Sequence, residues 1–386
     1  MKVVIVGSSA AAISCAETLR KNDKSVEITI IGKETYMPYY RPSLSHMLCN
    51  EDVESRFYLK SEEYYSENNI ELVLGKTVES VDRENKKVIL DNKEQYFYDK
   101  LLLGVGSNNF MPPVEGGELE GVCNLKFYED LKTINNYMEN KCNIVIIGGG
   151  LLGIEAAWAF RKANKNVTIL EFSDRLMARQ LNEKASSMVK KELEKEGINV
   201  FTGKSTKCII GNGKVEKILL ESGEKIYTDI VMFSVGVRPE VSLANSCGLK
   251  VGRGILVDEN MKTSDENIYA AGDCVEVNGM CLGIWPMAMQ TGKIAAMDML
   301  GKKEKLVMNP PTTILKALNI GVYSAGDVFA KDDEIEINDS EGYKLFTFKE
   351  NVITGINLIG ETKLSSKGFS MLSKKMTKDE VLEIIK

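Results

Sequence analysis

Three glycines at a fixed spacing are the clearest chemical signal in this sequence. Gly148, Gly150 and Gly153 follow the apolar run 144–147 and precede a segment with helical character. The first glycine of such a turn permits a tight bend, the second lets the backbone approach a pyrophosphate, and the third lets the helix pack on the strand. Free N–H groups at the helix N-terminus then attract the phosphates. The spacing predicts a dinucleotide site, and a turn that only packs is the alternative.

A carboxylate stands at the end of the next predicted strand. Glu171 at this place can accept a hydrogen bond from a ribose 2′-hydroxyl, and it repels a 2′-phosphate, so NADH is favoured over NADPH. Arg175 and Arg179 lie nearby in sequence and act against that preference. The residues assigned to this nicotinamide-nucleotide site are Gly148, Gly150, Leu152, Gly153, Glu171 and Gly236.

A second, degenerate turn lies near the N-terminus. Gly7, Ser9 and Ala12 repeat the spacing, but serine at the second position brings a Cβ atom to the place where a phosphate should approach. Taken alone, this turn is as consistent with a non-binding strand–helix connection as with a binding one. Glu34 is the candidate ribose acid, although Gly32 holds the place where some such folds carry it.

The two turns belong to two similar halves of the chain. Residues 3–34 and 144–171 both read as strand, turn, helix and strand, and residues 70–106 mirror residues 198–236. Self-similarity of this kind indicates a duplicated unit. We therefore predict an α/β fold with two Rossmann-like dinucleotide-binding domains, each with an antiparallel meander. The Pro310-Pro311 pair marks a change of pattern that begins near residue 306, and the remaining residues predict a small α+β C-terminal domain.

Composition excludes several classes of protein. The chain has 386 residues, 44% of them hydrophobic and 27% charged, with a formal net charge of −6, so neither nucleic acid nor a membrane is an expected partner. The apolar run 142–154 is too short to cross a bilayer, and the run 3–6 is too short for a signal peptide. The single histidine and the absence of any CxxC spacing among eight cysteines argue against a metal site and a catalytic triad. Free thiols in that number predict a reducing, cytoplasmic location.

The order of the motifs resembles a known family. The motifs are the turn at Gly7, Tyr39-Tyr40-Arg41-Pro42, Gly104-Val105-Gly106, residues 148–155, Gly236-Val237-Arg238-Pro239 and residues 267–273. Over nearly its whole length the chain resembles the two-dinucleotide flavoprotein reductases of the glutathione-reductase fold. Within that group it is most similar to the NADH:rubredoxin oxidoreductases, close to the flavin part of assimilatory nitrite reductases.

The resemblance implies a domain division and an FAD site. The FAD domain would be discontinuous (1–108 and 240–305), followed by an NAD domain (109–239) and a C-terminal interface domain (306–386). The residues assigned to FAD are Gly7, Ser9, Ala10, Ala12, Glu34, Arg41, Val78, Gly106, Asp273 and Trp285.

Four of these residues have particular roles to test. Asp273 would accept from a ribityl hydroxyl, or it caps a helix. Arg41 would reach the pyrophosphate or adenosine, or it is a solvated surface arginine. Val78 would contact adenine through its backbone. Trp285 opens the last FAD-side helix, and it is equally consistent with a core residue.

The departures from the family pattern bear on the electron acceptor. Disulfide reductases of this fold carry CxxxxC in the first long helix, whereas residues 43–48 here contain no cysteine. Cys49 comes about one turn late and has no partner cysteine, so we expect a buried structural thiol. Electrons would then leave the flavin directly, which favours a one-electron metalloprotein.

His46 and Glu155 are the candidate catalytic pair. His46 stands where oxygenase-coupled relatives usually carry a lysine that pairs with a glutamate matching Glu155. An imidazole beside a carboxylate at the nicotinamide side of the flavin could stabilise the anionic reduced flavin. The alternative is a structural histidine.

The resulting functional prediction is electron transfer from NADH through FAD to rubredoxin or a similar small acidic carrier. Docking would use the lysines of residues 363–378, although these also fit an ordinary solvated helix face. The lysines are Lys363, Lys367, Lys374, Lys375 and Lys378. Alternatives are an NADH oxidase and a redox-sensing protein that binds FAD and NADH. Nitrite reduction by the chain alone is excluded, because no cysteine set remains for siroheme or iron–sulfur ligation. We expect a monomer or homodimer.

Overall fold

A computed structural model describes residues 1–49, 57–281, 283–315 and 317–385. The chain divides into two compact units. Unit 1 comprises Met1–Ser43, Val53–Asn109 and Val237–Val307. Unit 2 comprises Leu44–Asp52, Phe110–Gly236 and Met308–Lys386.

The helices and strands follow in chain order. The helices are α1 (Ala10–Asn22), α2 (Glu62–Glu67), α3 (Tyr128–Tyr137), α4 (Leu151–Lys162), α5 (Glu183–Lys195), α6 (Ser242–Ser246), α7 (Trp285–Met299), α8 (Ser365–Ser373), α9 (Lys378–Ile385) and the 3-10 helix Arg41–Met47. The first strands are β1 (Lys2–Val6), β2 (Glu27–Gly32), β3 (Ile70–Leu74), β4 (Val78–Asp82), β5 (Lys87–Leu90), β6 (Gln95–Phe97), β7 (Lys100–Leu103) and β8 (Ser107–Asn109). Next come β9 (Val122–Asn124), β10 (Asn143–Ile147), β11 (Asn166–Leu170), β12 (Asn199–Phe201), β13 (Thr206–Gly211), β14 (Val215–Leu220), β15 (Lys225–Tyr227), β16 (Ile230–Phe233) and β17 (Val237–Pro239). The last are β18 (Ile255–Val257), β19 (Ile268–Ala270), β20 (Val275–Val277), β21 (Met280–Cys281), β22 (Thr312–Leu315), β23 (Gly321–Gly326), β24 (Asp333–Asp339), β25 (Gly342–Lys349) and β26 (Val352–Gly360).

Unit 1 is built on a parallel sheet of order β19-β7-β1-β2-β3. Alternate residues of β1 enter two different cores. Val3 and Ile5 pack with α1 and α7, whereas Val4 and Val6 pack with the antiparallel meander β4-β5-β6. A parallel sheet that is covered on both faces requires apolar residues at successive positions, which explains the continuous run 3–6.

Unit 2 repeats this plan and adds an antiparallel sheet. Its parallel sheet has the order β12-β11-β10-β16-β9, and the meander β13-β14-β15 packs on it through Val145, Ile209 and Ile218. The C-terminal strands form an antiparallel sheet of order β22-β23-β26-β25-β24, whose core includes Phe346 and Met371. These sheets confirm the predicted fold class.

Two further structural findings concern the domains and the helices. Residues 308–386 belong with residues 110–236 in unit 2, and the division into three domains stays a prediction. In the described residues no helix combines the length and apolar character that a bilayer crossing demands.

Candidate functional site

The predicted glycine turn of unit 2 joins β10 to α4. Gly148 has a φ of +117°, and a Cβ atom there would overlap the carbonyl oxygen of Ser234. A Cβ atom at Gly153 would overlap the Gly148 carbonyl, whereas the space around Gly150, the N-cap of α4, is open within the described part of the chain. The turn is therefore closed at its first and third positions and open at its second, which is the shape that an approaching pyrophosphate requires.

Glu171 is bonded to this turn. Its carboxylate accepts hydrogen bonds from the backbone N–H of Gly149 at 2.5 Å and of Ser173 at 2.7 Å. A Cβ atom at Gly149 would collide with Leu176 and come within 3.1 Å of the Glu171 carboxylate. The spacing pattern left Gly149 unassigned. The run of three glycines was the available signal, because only glycine lets Glu171 approach this closely.

Apolar side chains are exposed around the same edge of the sheet. Phe172, directly after Glu171, is 79% exposed, and Leu152, in the first turn of α4, is 53% exposed. Val235, after β16, is also exposed. All three lie beyond the carboxyl ends of neighbouring parallel strands, the usual place for ligands in such sheets. Leu152 was predicted, whereas Phe172 was not, because an aromatic residue after a strand carries no specific signal.

The two nearby arginines differ in their surroundings. Arg175 binds the Asp174 carboxylate at 2.9 Å, donates to the Ala178 carbonyl at 3.3 Å, and lies 5.6 Å from the Phe329 ring centroid. Arg179 is exposed. The Arg175 guanidinium already has these partners, which weakens the attraction that it was expected to have for the 2′-phosphate of NADPH.

The degenerate turn of unit 1 joins β1 to α1. Gly7 has a φ of +111°, and a Cβ atom there would overlap the Gly104 carbonyl. Ser9 is the N-cap of α1, followed by the buried Ala10 and Ala12. The backbone therefore forms the same kind of bend with serine at the second position, and the helix N-terminus behind it has the polarity that suits a phosphate.

In unit 1, the position equivalent to Glu171 carries no acid because the small and large residues of a contacting pair have changed places. β2 pairs with β1 as β11 pairs with β10, so Gly32 holds the position equivalent to Glu171. A Cβ atom at Gly32 would lie 2.6 Å from the Ser8 hydroxyl. Ser8 thus stands where unit 2 has Gly149, and its side chain takes the space that the Glu171 side chain uses there.

Glu34 anchors a small polar cluster two residues later. Its carboxylate accepts from the Tyr39 hydroxyl at 2.5 Å and from the Arg41 guanidinium at 2.7 Å. The Arg41 guanidinium also lies 5.4 Å from the Tyr39 ring centroid, and Tyr39 stacks on Phe57 with centroids 4.8 Å apart. The reading of Arg41 as a solvated surface arginine is therefore wrong, because the side chain is paired and largely covered.

Asp273 follows β19 in a turn. The Ser107 hydroxyl donates to its carboxylate at 3.3 Å, and the Gly106 carbonyl accepts from the Glu240 N–H at 2.9 Å. The predicted alternative of a helix N-cap is wrong, because β20 begins at Val275 and no helix starts at Asp273. In this turn the Gly272 N–H donates to the Thr291 hydroxyl at 3.0 Å. Nothing in the local sequence distinguishes such a turn from the start of a helix.

The two remaining FAD candidates lie elsewhere in unit 1. Trp285 is the first residue of α7, as expected, and its ring meets that of Tyr40 edge-on with centroids 5.0 Å apart. Val78 is the first residue of β4 and pairs with Leu90. Both side chains are half-buried, and their contact with FAD stays a prediction.

The described residues show no contact between His46 and Glu155, and their predicted pairing stays a prediction. Glu155 is buried in α4, and its carboxylate accepts from the Ser45 hydroxyl at 2.9 Å. His46 is exposed, and among the described residues it has no hydrogen bond or ion pair with Glu155. Neighbouring residues of a 3-10 helix point about 120° apart, so the side chains of Ser45 and His46 leave the helix in different directions. Any role for His46 or Glu155 in the reaction stays a prediction.

Cys49 is a free, half-buried thiol and is therefore less covered than the expected buried thiol. Burial raises its pKa to about 11 despite the opposing charge of Lys165, and its N–H donates to the Asn135 amide oxygen at 2.9 Å. All eight cysteines lie in the described residues, and all are free. Within the described ranges no cluster of three or more His, Cys, Asp and Glu residues could hold a metal ion.

Comparison with known proteins adds family models and relatives. The model described as pyridine nucleotide-disulphide oxidoreductase matches residues 1–292, and that of the rubredoxin NAD+ reductase C-terminal domain matches residues 311–376. Rubredoxin-NAD(+) reductase of Pseudomonas putida is 37% identical over 73% of this chain and 74% of its own. NADH oxidase of Methanocaldococcus jannaschii is 34% identical over 83% of this chain and 75% of its own.

Longer relatives match only in part. The assimilatory nitrate reductase electron transfer subunit of Bacillus subtilis (strain 168) is 33% identical over 94% of this chain and 48% of its own. The chain therefore spans about half the length of that relative, and the same holds for nitrite reductase [NAD(P)H] of this organism, of which 48% is covered.

Two solved structures have closely similar folds. NADH:rubredoxin oxidoreductase from Clostridium acetobutylicum superposes with a TM-score of 0.83 at 27% identity, covering 99% of both chains. The reductase in the covalent putidaredoxin reductase–putidaredoxin complex superposes with a TM-score of 0.89 at 25% identity, covering 97% of this chain and 93% of that one.

The family match confirms the resemblance and the oxidoreductase class. FAD and NADH, the predicted cofactors, are those of this family. Each of the two turns fits a dinucleotide, because each pairs a closed bend at its first residue with the N-terminus of a long helix. The chain belongs to the pyridine nucleotide-disulphide oxidoreductase family.

Proposed function

We propose that the protein is an NADH-dependent flavoprotein reductase that passes single electrons to a small iron protein, rubredoxin or a similar acidic carrier. The observation that carries this proposal is the presence of two dinucleotide turns together with a half-buried Cys49 that forms no disulfide. When bound, FAD accepts a hydride from NADH and can release electrons one at a time. The residues of the chain supply binding, orientation and charge.

Unit 2 would bind NADH. The open N-terminus of α4 at Gly150 receives the pyrophosphate, and Glu171 accepts hydrogen bonds from the adenosine ribose. A 2′-phosphate on that ribose would meet the Glu171 carboxylate and be repelled, so NADH is preferred over NADPH. Leu152 and Gly236 would border the same coenzyme.

Unit 1 would bind FAD. The bend at Gly7, with Ser9, Ala10 and Ala12 at the start of α1, receives the pyrophosphate. Asp273 is held by Ser107 in a position to accept from a ribityl hydroxyl. A larger set completes the site: Glu34, Arg41, Val78, Gly106 and Trp285.

Cys49 bears on how electrons leave the protein. A dithiol relay requires a nucleophilic thiolate and a second cysteine, and Cys49 has a raised pKa and no partner within the described residues. Direct transfer from flavin to an iron centre needs neither. Relatives named rubredoxin-NAD(+) reductase, and the reductase solved with putidaredoxin, support an iron–sulfur or rubredoxin-type acceptor.

Glu155 would act close to the nicotinamide side through its position on α4. The Ser45 hydroxyl orients its carboxylate, which is buried, so a charge there acts in a medium of low polarity. His46, exposed one residue later, would stabilise negative charge on the reduced flavin.

The acidic carrier would dock on the lysine-rich segment around α8. Two of the five lysines are neutralised, because Lys363 pairs with Glu361 at 3.0 Å and Lys378 pairs with Asp333 at 2.6 Å. The docking charge therefore falls to the exposed Lys367, Lys374 and Lys375. Changing these three to Ala should weaken carrier reduction about tenfold at low ionic strength and little at high ionic strength. An equal loss at both salt concentrations would argue for the ordinary solvated helix face.

A comparison of electron acceptors tests the proposal. The as-purified protein should show flavin absorbance, which NADH bleaches under anaerobic conditions. Steady-state turnover is then measured with rubredoxin, oxygen and an aromatic disulfide in parallel. Rubredoxin should be reduced at least tenfold faster than either.

The alternatives make different predictions in the same assay. Oxygen as the fastest acceptor would favour an NADH oxidase, the name of one relative. Binding of FAD and NADH without turnover of any acceptor would favour a redox-sensing protein. We further expect a cytoplasmic protein, because its eight thiols are free. A monomer or a homodimer is the expected oligomeric state.

A further inference from the structure

We propose that Asn357, in the C-terminal sheet, is a positioning residue for NADH binding. Asn357 would act by fixing the end of the segment 171–182, here called the acid loop. This segment begins at the ribose acid Glu171. The inference rests on the proposed binding of NADH by unit 2, and it assigns to the C-terminal sheet a part in the NADH site.

Asn357 is fully buried on β26, and its amide is bonded to the acid loop on both sides. Its oxygen accepts from the Asn182 N–H at 3.1 Å, and its nitrogen donates to the Gln180 carbonyl at 2.9 Å. Ser324, opposite Asn357 on β23, also donates to the Gln180 carbonyl, at 2.8 Å. The Asn182 side chain in turn donates to the Tyr343 hydroxyl at 2.7 Å.

The other end of the acid loop is fastened to the phosphate turn. The Gln180 N–H donates to the Met177 carbonyl at 2.8 Å, and the Met177 N–H donates to the Gly149 carbonyl at 2.9 Å. The Gly149 N–H donates to Glu171 at 2.5 Å. An unbroken series of hydrogen bonds therefore runs from the Asn357 amide to the turn and its acid.

The location of Asn357 argues against a purely local role. Ile356 and Leu358, its neighbours on β26, belong to the apolar core on one face of the C-terminal sheet. Because side chains alternate along a strand, Asn357 faces the other side, where the acid loop lies. A buried amide with satisfied donors and acceptor selects one arrangement of the groups it binds, whereas an apolar residue would allow several. The amide therefore fixes the backbone of Gln180 and Asn182.

The test compares Asn357→Leu with a matched control, Thr347→Val. Thr347 is equally buried in the same sheet and donates to the Gly355 carbonyl at 3.2 Å, but it has no bond to the acid loop. Two quantities are measured on the flavin-containing protein. The Kd for NAD+ comes from calorimetric titration, and the NADH dependence of flavin bleaching gives an apparent Kd and a limiting rate.

For Asn357→Leu we expect the Kd for NAD+ to rise about fivefold or more, with the limiting rate within about twofold of wild type. Thr347→Val should leave both unchanged. Ser324→Ala, a milder change, should raise the Kd about twofold, and it keeps the inference testable if Asn357→Leu does not fold.

Two results would overturn the inference. One is an unchanged Kd in both Asn357→Leu and Ser324→Ala. The other is an equal rise in Thr347→Val, which would mean that general loosening of the sheet is responsible. Failure of the wild-type protein to bind NAD+ or NADH would instead contradict the proposed function, so the two failures are distinguishable.

Discussion

The phosphate turns of the two units have the same backbone conformation but differ in the space that their side chains leave for a ligand. Two backbone hydrogen bonds of unit 1 have counterparts in unit 2. Gly7 N donates to Ile31 O at 2.8 Å, as Gly148 N donates to Leu170 O at 2.8 Å. Lys76 N donates to Gly32 O at 3.1 Å, as Lys204 N donates to Glu171 O at 3.0 Å. At the second turn position unit 1 has Ser9, whereas unit 2 has Gly150. The duplicated geometry has therefore been kept while the chemistry around it has diverged.

The divergence fits two different lifetimes of a bound dinucleotide. Ala11, in the first turn of α1, is 5% exposed beneath α7, whereas the equivalent Leu152 is 53% exposed. The acid of unit 1, Glu34, is enclosed with Tyr39 and Arg41, whereas Glu171 stands beside the exposed Phe172. We interpret unit 1 as the site of a resident FAD and unit 2 as the site of a coenzyme that must enter and leave. Matched variants of the two turns and their acids test that contrast.

The largest effects should come from the first glycine of each turn. Gly7→Ala and Gly148→Ala both place a Cβ atom into a carbonyl group and force a disfavoured backbone conformation. Gly7→Ala should be purified with less than about a tenth of the wild-type flavin. Gly148→Ala should keep its flavin but lose NADH reduction by about a hundredfold or more. Flavin absorbance and stopped-flow bleaching measure the two effects.

Dithionite provides the control for these glycine variants, because it should bleach the flavin of Gly148→Ala at the wild-type rate. Loss of flavin from Gly148→Ala, with retention in Gly7→Ala, would reverse the assignment of the two units.

Removal of the acid of unit 2 should have the next largest effect. Glu171→Ala removes a charged acceptor for the ribose and should raise the apparent Kd for NADH about ten- to a hundredfold. Binding of NADPH should weaken less, so the preference for NADH should shrink. Glu34→Ala serves as the matched variant of unit 1 and should leave the Kd for NADH unchanged. A larger effect of Glu34→Ala on NADH would contradict the contrast.

A smaller effect is expected at Phe172. Its exposed ring, next to the ribose acid, is in a position to stack on adenine, a contact worth about 1–3 kcal/mol where bases stack on aromatic residues. Phe172→Ala should raise the Kd for NAD+ about fivefold, and Phe172→Tyr should restore it. Tyr227→Ala, another exposed aromatic of unit 2, is the control and should have no effect. Equal affinities for Phe172→Ala and wild type would remove Phe172 from the site.

The smallest effect should come from Cys49→Ser, which should leave rubredoxin reduction within about twofold of wild type. The thiol should resist alkylation at pH 7.5, and its reactivity should rise about tenfold per pH unit toward its pKa of about 11. The exposed Cys142 is the internal control, and mass spectrometry distinguishes the two. Rapid labelling of Cys49 at pH 7.5, or loss of turnover in Cys49→Ser, would restore a thiol relay.

The free energy of unfolding should depend on pH through the raised pKa of Cys49. In the unfolded chain the Cys49 thiol ionises near the ordinary pKa of 9.0, whereas in the folded protein its pKa is about 11. Between these two pH values, ionisation therefore stabilises the unfolded chain. The free energy of unfolding should therefore fall over that range, and less so in Cys49→Ser.

Sequence spacing predicted the features that depend on short stretches of chain. Gly7 and Gly148 were recognisable because a bend, a helix start and a preceding apolar run lie within ten residues. The exchange between Ser8 and Gly32 was not, since it requires the register of two paired strands. Ser45 was missed because its contact with Glu155 joins residues 110 positions apart in sequence, and local spacing carries no signal of it.

Contacts between residues that are far apart in sequence could not be predicted from local patterns. Asn357 meets Gln180 across 177 positions of sequence, and nothing in its immediate neighbours distinguishes it from a polar residue on an exposed strand. The reading of Asp273 as a helix cap failed for a related reason, because local residues favour several turns and the pairing of β20 selected one.

Direct transfer of single electrons from reduced flavin is the central claim, and one single-turnover experiment tests it most directly. The protein is reduced anaerobically with one equivalent of NADH and mixed with excess rubredoxin in a stopped-flow instrument. We predict that two rubredoxin molecules are reduced for each NADH, at a rate that Cys49→Ser does not change. Reduction no faster than that of a generic dye, or a rate that collapses in Cys49→Ser, would contradict the claim.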